Sequence, residues 1–185
     1  MGQGYTNMTG ATIGTVGHST RPLEELIAIL QGFRATVLVD VRTVPRSRHN
    51  PQFNRETLPE ALAPHAIRYV HEPGLGGLRK PRADSINGAW RNASFRGYAD
   101  YMQTPEFEER LDWLLGLAAT ERAVIMCAES VPWRCHRSLI ADALLARGAQ
   151  VEHLMGPRKG KAHTLTPFAR ASEGRVTYPG VLDTP

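Results

Sequence analysis

Apolar and polar positions alternate along the chain in blocks that predict strands followed by helices. A β-leaning run at residues 12–19 precedes a helical apolar spacing over 23–30. The runs 36–41 and 123–128 are almost continuously apolar, which is typical of strands buried on both faces of a parallel sheet. The pattern therefore predicts β-strands connected by helices.

The same patterns predict the remaining elements. Helices are predicted over 56–63, 98–103, 105–119 and 138–147, and strands over 67–71 and 151–154. Because strands and helices alternate, we predict an α/β fold: a single-domain three-layer sandwich with a mainly parallel, Rossmann-like sheet. We expect residues 12–155 to form this domain, 1–11 a flexible N-terminus, and 156–185 an arm that is packed on the domain or partly disordered.

Length and composition narrow the class of protein. A chain of 185 residues buries enough surface to need no disulfide or structural metal. No apolar segment approaches the roughly 18–20 residues of a membrane helix, and the N-terminus shows no secretion signal. We therefore expect a cytoplasmic protein with no membrane partner, in which Cys127 and Cys135 are free thiols or ligands.

Polar and reactive side chains stand where the predicted strands end: His18 and Ser19, Asp40 and Arg42, Cys127 and Glu129. Ligands of open α/β sheets bind beyond the carboxyl ends of the strands, so these groups should converge on one edge. Asp40 has two interpretations, a buried ion pair with Arg42 or a general base. Cys127 also has two interpretations, a reactive thiol or a small core residue, and its place at the end of a buried strand is more typical of the core residue.

A Cys-His-Arg run precedes the predicted helix at 138. A helix N-terminus and nearby positive charge favour a thiolate, so Cys135 is a better reactive thiol than Cys127. Phosphatase and rhodanese loops have the pattern Cys-x5-Arg, which would require arginine where this chain has Trp133. The spacing Cys-x7-Cys also differs from the Cys-x2-Cys pairs of structural zinc sites. We assign no metal ligand, and the cofactor stays open.

Arginine supplies 19 of the 22 basic residues. Planar guanidinium groups suit recognition of phosphate or carboxylate, although a GC-rich genome also enriches arginine. The basic loops 42–55 and 79–96 contain Phe53, Trp90 and Phe95, an arrangement that single-stranded nucleic-acid binding uses. A solvated basic face is the other interpretation. The formal net charge of +4 supports an anionic partner.

Six motifs stand at or near these positions: Ile13-Gly-Thr-Val-Gly-His18-Ser19, Asp40-Val-Arg42 with Pro45-x-Ser47-Arg48, Leu75-Gly-Gly-Leu78, Ala99-x-Tyr101-Met102, Met126-Cys127-Ala-Glu129, and Cys135-His136-Arg137. Together they resemble domain-of-unknown-function family 488, which is bacterial and archaeal. The resemblance implies one α/β domain and one pocket formed by His18, Asp40, Arg42, Arg48, Cys127, Glu129, Cys135, His136 and Arg137. It implies no activity, since none is established for the family.

The leading hypothesis is an enzyme acting on a small anionic substrate that bears a phosphate or resembles a nucleotide. The predicted catalytic residues are Asp40, Glu129, Cys135, His136 and His18. The predicted substrate-binding residues are Ser19, Arg42, Arg48, Arg137 and Cys127. Two alternatives stay open: a nucleic-acid-binding or DNA-repair accessory module, and a metal- or thiol-dependent enzyme of the rhodanese or phosphatase type.

Overall fold

The structure, a computed structural model, describes residues 10–180. The α-helices are α1 (Leu23–Gly32), α2 (Leu58–Leu62), α3 (Ala93–Tyr101), α4 (Pro105–Ala118) and α5 (Arg137–Ala146). The strands are β1 (Thr12–Gly17), β2 (Val37–Asp40), β3 (Arg68–His71), β4 (Ala123–Cys127), β5 (Gln150–Gly156), β6 (Lys159–Ala162), β7 (Arg170–Ser172) and β8 (Arg175–Thr177). Most of the segment predicted to be a flexible N-terminus, 1–11, lies outside the described residues.

Six strands form one sheet in the order β3-β2-β4-β1-β5-β6. Strands β1 to β5 are parallel, and β6 is antiparallel to β5. Helices α1 and α2 pack on one face, in a cluster that includes Leu38 of β2. Helices α3, α4 and α5 pack on the other, in a cluster that includes the next residue, Val39. The fold is therefore the three-layer α/β sandwich that the alternating pattern predicts.

Burial explains why the central strands are so apolar. All four residues of β2 are buried, and so are the first four of the five in β4. Successive side chains of a strand point to opposite faces, so a strand covered on both sides needs apolar residues at every position. The polar residue Asp40 ends β2, which places a buried carboxylate at the edge where the loops begin.

Helix α3 begins at Ala93, five residues before the predicted start. Asn92 Oδ1 accepts hydrogen bonds from the backbone N–H groups of Ser94 (2.9 Å) and Phe95 (3.3 Å) and so caps the helix. Ala93 and Ser94 are exposed, so the first turn carries no apolar periodicity that a sequence pattern would reveal.

The strand order creates a crevice at the carboxyl end of β4, which lies between β2 and β1. From β1 and β2 the chain continues to helices on one face, whereas from β4 it continues to α5 on the other face. Loops that leave neighbouring strands toward opposite faces form the usual ligand site of such sheets. The register pairs Gly17 with Cys127 and Asp40 with Met126, so three strand ends meet there.

The C-terminal part of the described chain packs on the sandwich. Strand β6 extends the sheet, and β7 and β8 form a separate antiparallel pair. Tyr178 is completely buried and donates a hydrogen bond to Asp142 of α5 at 2.8 Å. Within residues 10–180, none of the helices combines the length and the apolar character that a membrane crossing requires.

Gly17 provides a test of the close contact between β1 and the loop after β4. A Cβ at position 17 would lie 1.9 Å from the Glu129 carbonyl oxygen. We expect Gly17→Ala to reduce the free energy of unfolding by about 1–3 kcal/mol, because the loop must move. In the matched control, exposed helical Gly116 has open space around its Cβ position, and Gly116→Ala should stabilise by about 0.5–1 kcal/mol. Urea denaturation measures both; equal effects would contradict the predicted contact.

Candidate functional site

A cavity of about 520 Å³ opens at the carboxyl ends of β2 and β4. Its walls come from the loop after β2, the segment around Gly77, the start of α3, the loop after β4 and the approach to α5. Five predicted site residues line it: Arg42, Cys127, Glu129, Cys135 and His136. The volume is within the roughly 300–1,000 Å³ of small-molecule sites.

The other five predicted site residues do not line the cavity. Asp40, His18 and Arg137 are buried behind it. Ser19 is half-buried, has a left-handed backbone conformation (φ 47°) and contacts the loop after β4 through its N–H. Arg48 is exposed outside the cavity. Five of the predicted residues therefore line the cavity, four lie behind or beside it, and Arg48 lies outside the site.

Asp40 and Arg42 form a buried ion pair at the end of β2. Asp40 Oδ1 accepts from the backbone N–H (3.1 Å) and Nε (2.8 Å) of Arg42, and Oδ2 accepts from Arg42 Nη2 and the Tyr69 hydroxyl, both at 2.6 Å. Burial acts to lower the pKa of Arg42, but the hydrogen bonds and charge of Asp40 raise it above its ordinary value. Because both carboxylate oxygens are bonded twice, Asp40 is better placed to orient Arg42 than to accept a proton.

His18 holds the other side of the same guanidinium. Its Nε2 accepts from Arg42 Nη1 at 3.0 Å, so its Nδ1 carries the proton and donates to the Ser19 carbonyl at 2.9 Å. The ring stacks on Phe53 with 4.5 Å between centroids. Burial lowers the pKa of His18 to about 4, and the charge of Arg42 acts in the same direction. His18 is therefore neutral, with both ring nitrogens engaged.

Cys127 closes β4, Cys135 precedes α5, and both residues line the same cavity. The two Sγ atoms and a ring nitrogen of His136 all lie within 4.8 Å of one another. Cys135 Sγ lies 3.6 Å from His136 Nδ1. A short turn, Pro132–Arg134, returns the chain to the strand end, and the Cys135 N–H donates to the Pro132 carbonyl at 3.1 Å. This turn brings Cys135, at the start of α5, close to Cys127, at the end of β4.

The two thiols differ in ionisation. A hydrogen bond from Cys127 lowers the pKa of Cys135 against the effect of burial, and His136 and Arg137 lower it further. The same hydrogen bond, together with burial, raises the pKa of Cys127. The N-terminus of α5 also favours negative charge. These effects favour ionisation of Cys135 over ionisation of Cys127.

His136 lies between the cysteine pair and the core. A Cβ at position 77 would lie 2.6 Å from His136 Nδ1, so Gly77 leaves the space that the ring needs. The ring also packs on Tyr98, with centroids 5.0 Å apart. Its Nε2 is buried and has no hydrogen-bond partner in the described residues. Its other nitrogen, Nδ1, lies close enough to Cys135 Sγ for a hydrogen bond.

Arg137, the first residue of α5, is buried behind the cysteine loop, with 1% of its surface exposed. One terminal nitrogen donates to the Glu129 carbonyl and the other to Thr15 Oγ1, the latter at 3.1 Å. No carboxylate pairs with it among residues 10–180, whereas Arg42 has Asp40. Arg137 therefore fixes the loop and adds a buried positive charge beside the thiols.

A chain of hydrogen bonds runs from Arg137 to a distant carboxylate. The Thr15 hydroxyl donates to His153 Nδ1 (2.7 Å), His153 Nε2 to His163 Nδ1 (2.9 Å), and His163 Nε2 to Asp142 Oδ1 (2.8 Å). This direction follows because a guanidinium only donates and a carboxylate only accepts. Burial lowers the pKa of His153 to about 4, and His163 and Arg137 act in the same direction. His153 is therefore neutral, as the chain requires.

The proximity of Cys127, Cys135 and His136 also raises the question of a metal. Histidines that bind metals usually donate their second ring N–H to a carboxylate, carbonyl or water. The second nitrogen of His136 has no such partner among the described residues. The cluster is therefore a possible set of three metal ligands in which the second ring nitrogen of the histidine has no protein partner among the described residues.

The three aromatic residues of the basic loops differ in burial: Phe53 is buried, whereas Trp90 and Phe95 are only partly buried. Phe53 is completely buried against His18. Trp90 and Phe95 stack on each other with 4.9 Å between centroids, and Trp90 also contacts Phe168. The buried ring of Phe53 is therefore not available to stack on a base, and Phe95 contributes to the wall of the cavity.

Several supporting residues make contacts that the spacing of residues in the sequence does not reveal. Thr15 and His153 lie opposite each other on β1 and β5, but they are 138 residues apart in the chain. Tyr69 reaches Asp40 from the neighbouring strand β3. Gly77 belongs to the Leu-Gly-Gly-Leu motif, and only its contact with His136 shows why a glycine is needed. The pairing of strands brings Thr15 to His153 and Tyr69 to Asp40. The spacing of residues along the chain does not reveal which strands pair.

A protein-family model described as "Domain of unknown function DUF488" matches residues 22–144, about two thirds of the chain. Asp40, Arg42, Cys127 and Cys135 lie within the match, and His18 precedes it. Comparisons with curated proteins and with solved structures found no match.

The two buried neutral histidines predict a loss of stability in acid. The pKa values of His18 and His153 are about 4 in the folded protein and about 6.5 in an unfolded chain. The unfolded state therefore binds more protons between these values, and the free energy of unfolding falls as pH drops from about 6.5 to 4.

Urea titrations at several pH values measure this dependence. His153→Gln should make the slope shallower by up to about 1.4 kcal/mol per pH unit, the contribution of one proton. His49→Gln, at an exposed histidine, should leave the slope unchanged. An unaltered slope in His153→Gln would show that His153 is not the buried neutral group described above.

Proposed function

The chain belongs to the DUF488 family, whose description names no activity, and we propose from its cavity that it is a cysteine-dependent enzyme acting on a small anionic substrate. The observation that carries the proposal is the meeting of Cys127, Cys135 and His136 at one cavity wall. Cys135 is the nucleophile, because the thiolate is the reactive form of cysteine.

Charge balance supports a thiolate at Cys135. A buried cation without a counterion is costly, and Arg137 has no carboxylate partner among the described residues. Its charge acts to lower the pKa of Cys135. The thiolate compensates the guanidinium, so each group makes the burial of the other less unfavourable.

The cavity wall supports an anionic substrate of small size. Arg134 is exposed and lines the cavity next to Cys135, so its guanidinium is available to a ligand. Arg42 also lines the cavity, but its charge is already balanced by Asp40. Val44 and Leu78, which are 63% and 77% exposed, add apolar surface at the opening. A ligand with an acidic group and a short apolar part matches these features.

The remaining site residues take supporting roles in this proposal. Cys127 and His136 donate hydrogen bonds to the thiolate. Glu129 lines the cavity and is the candidate for proton transfer, while its Oε1 accepts from the Val131 N–H at 2.9 Å and shapes the loop. Asp40 and His18 are positioning residues that hold Arg42 at the cavity wall.

Two alkylating reagents, one anionic and one neutral, test this function. Iodoacetate is an anion and iodoacetamide is neutral, and both react with a thiolate. We expect both to label Cys135, and the rate ratio of iodoacetate to iodoacetamide to fall about fivefold in Arg134→Gln, which corresponds to the loss of a contact of about 1 kcal/mol.

Arg48→Gln is the matched control, since Arg48 is exposed but lies outside the cavity. It should leave the rate ratio unchanged, and Cys135→Ser should abolish labelling at this position. Labelling of Cys127 in preference to Cys135, or an equal change of the ratio in both arginine variants, would contradict the proposed site. Peptide mass spectrometry identifies the labelled cysteine.

A further inference from the structure

The two cysteines are close enough to become a disulfide. Their Sγ atoms lie within 4.8 Å of each other, and a disulfide requires about 2.05 Å. Both are free thiols that line the same cavity. They are also the only cysteines of the chain, so each has the other as its single intramolecular partner.

The loop that connects the two cysteines allows their sulfur atoms to move closer together. Cys127 is the last residue of the central strand β4, whereas Cys135 follows a loop in which Ala128, Trp133 and Arg134 are exposed. Exposed loop segments open more readily than strands in the core of a sheet. Cys135 can therefore move toward Cys127 while the strand stays fixed.

The presence of a second thiol narrows the class of substrate. A thiolate that attacks a carbon or phosphorus centre forms an intermediate that a neighbouring thiol does not resolve productively. A thiolate that attacks a disulfide forms a mixed disulfide, and a thiol within reach then releases the product. The chain also lacks arginine at the position that the Cys-x5-Arg anion loop requires, where it has Trp133.

We propose, building on the function proposed above, that Cys127 is the resolving thiol of Cys135 and that the site reduces small anionic disulfides. The Cys135 thiolate attacks one sulfur of R–S–S–R, the substrate S–S bond breaks, and the first R–S⁻ leaves with a proton from solvent. Cys127 then gives up its proton and attacks Cys135 Sγ, so the mixed disulfide breaks and the second thiol leaves as R–SH.

The two steps balance. The protein pair loses two electrons and forms the Cys127–Cys135 disulfide, and the substrate gains two electrons and leaves as two thiols. One proton comes from Cys127 and one from solvent. Arg134 supplies the charge that favours a disulfide with acidic groups.

Oxidised glutathione is the probe, added to the full-length chain after treatment with reductant and chelator and removal of both. Intact mass and free-thiol counts follow the reaction. In the wild-type protein we expect the loss of both thiols, the release of two glutathione molecules per chain, and no retained adduct. In Cys127→Ser we expect one stable glutathione adduct on Cys135. In Cys135→Ser we expect at least a tenfold slower reaction.

A retained adduct on the wild-type protein at the level seen in Cys127→Ser would overturn the resolving role. Cys127→Ala, with folding checked by circular dichroism, repeats the test without a hydroxyl. If Cys135 is alkylated as described above but no internal disulfide forms, only the disulfide inference fails. If Cys135 is not labelled by either alkylating reagent, the proposed function itself fails.

Discussion

The guanidinium of Arg137 is almost completely buried, so its N–H groups need acceptors and its charge needs an anion inside the protein. The two terminal nitrogens have acceptors, the Thr15 hydroxyl and the Glu129 carbonyl, which tie the loop after β4 to strand β1. The buried Nε has no acceptor among the described residues. No carboxylate pairs with this group among residues 10–180. In the proposed function, the Cys135 thiolate supplies this anion.

The second buried arginine shows the opposite arrangement. Arg42 is neutralised by Asp40 and further fixed by His18 and the Phe53 carbonyl. A guanidinium held on all sides presents a rigid wall to the cavity and attracts a ligand less strongly than one without a counterion. The two buried arginines therefore differ: Arg42, after β2, is neutralised by Asp40, whereas Arg137, at the start of α5, stabilises the Cys135 thiolate in the proposed function.

The sequence is sufficient to predict the layers and the edge of the sheet where the site lies, because strands buried on both faces are apolar throughout and end in polar residues. The sequence also predicts that Cys135 and His136 lie at that edge, because they precede the helix that becomes α5. It does not separate Arg48, which is exposed away from the cavity, from Arg134, which lines it. The partners Thr15 and His153 depend on the pairing of β1 with β5, and no local pattern encodes that pairing.

The central claim is that the folded protein holds Cys135 as a thiolate at neutral pH. Ultraviolet absorbance of the thiolate, followed against pH, measures this directly. The account predicts about one thiolate per chain below pH 7 in the wild-type protein and none in Cys135→Ser, whose remaining thiol should ionise only at high pH. Titration of both wild-type thiols near the ordinary value of about 8.5 would contradict it.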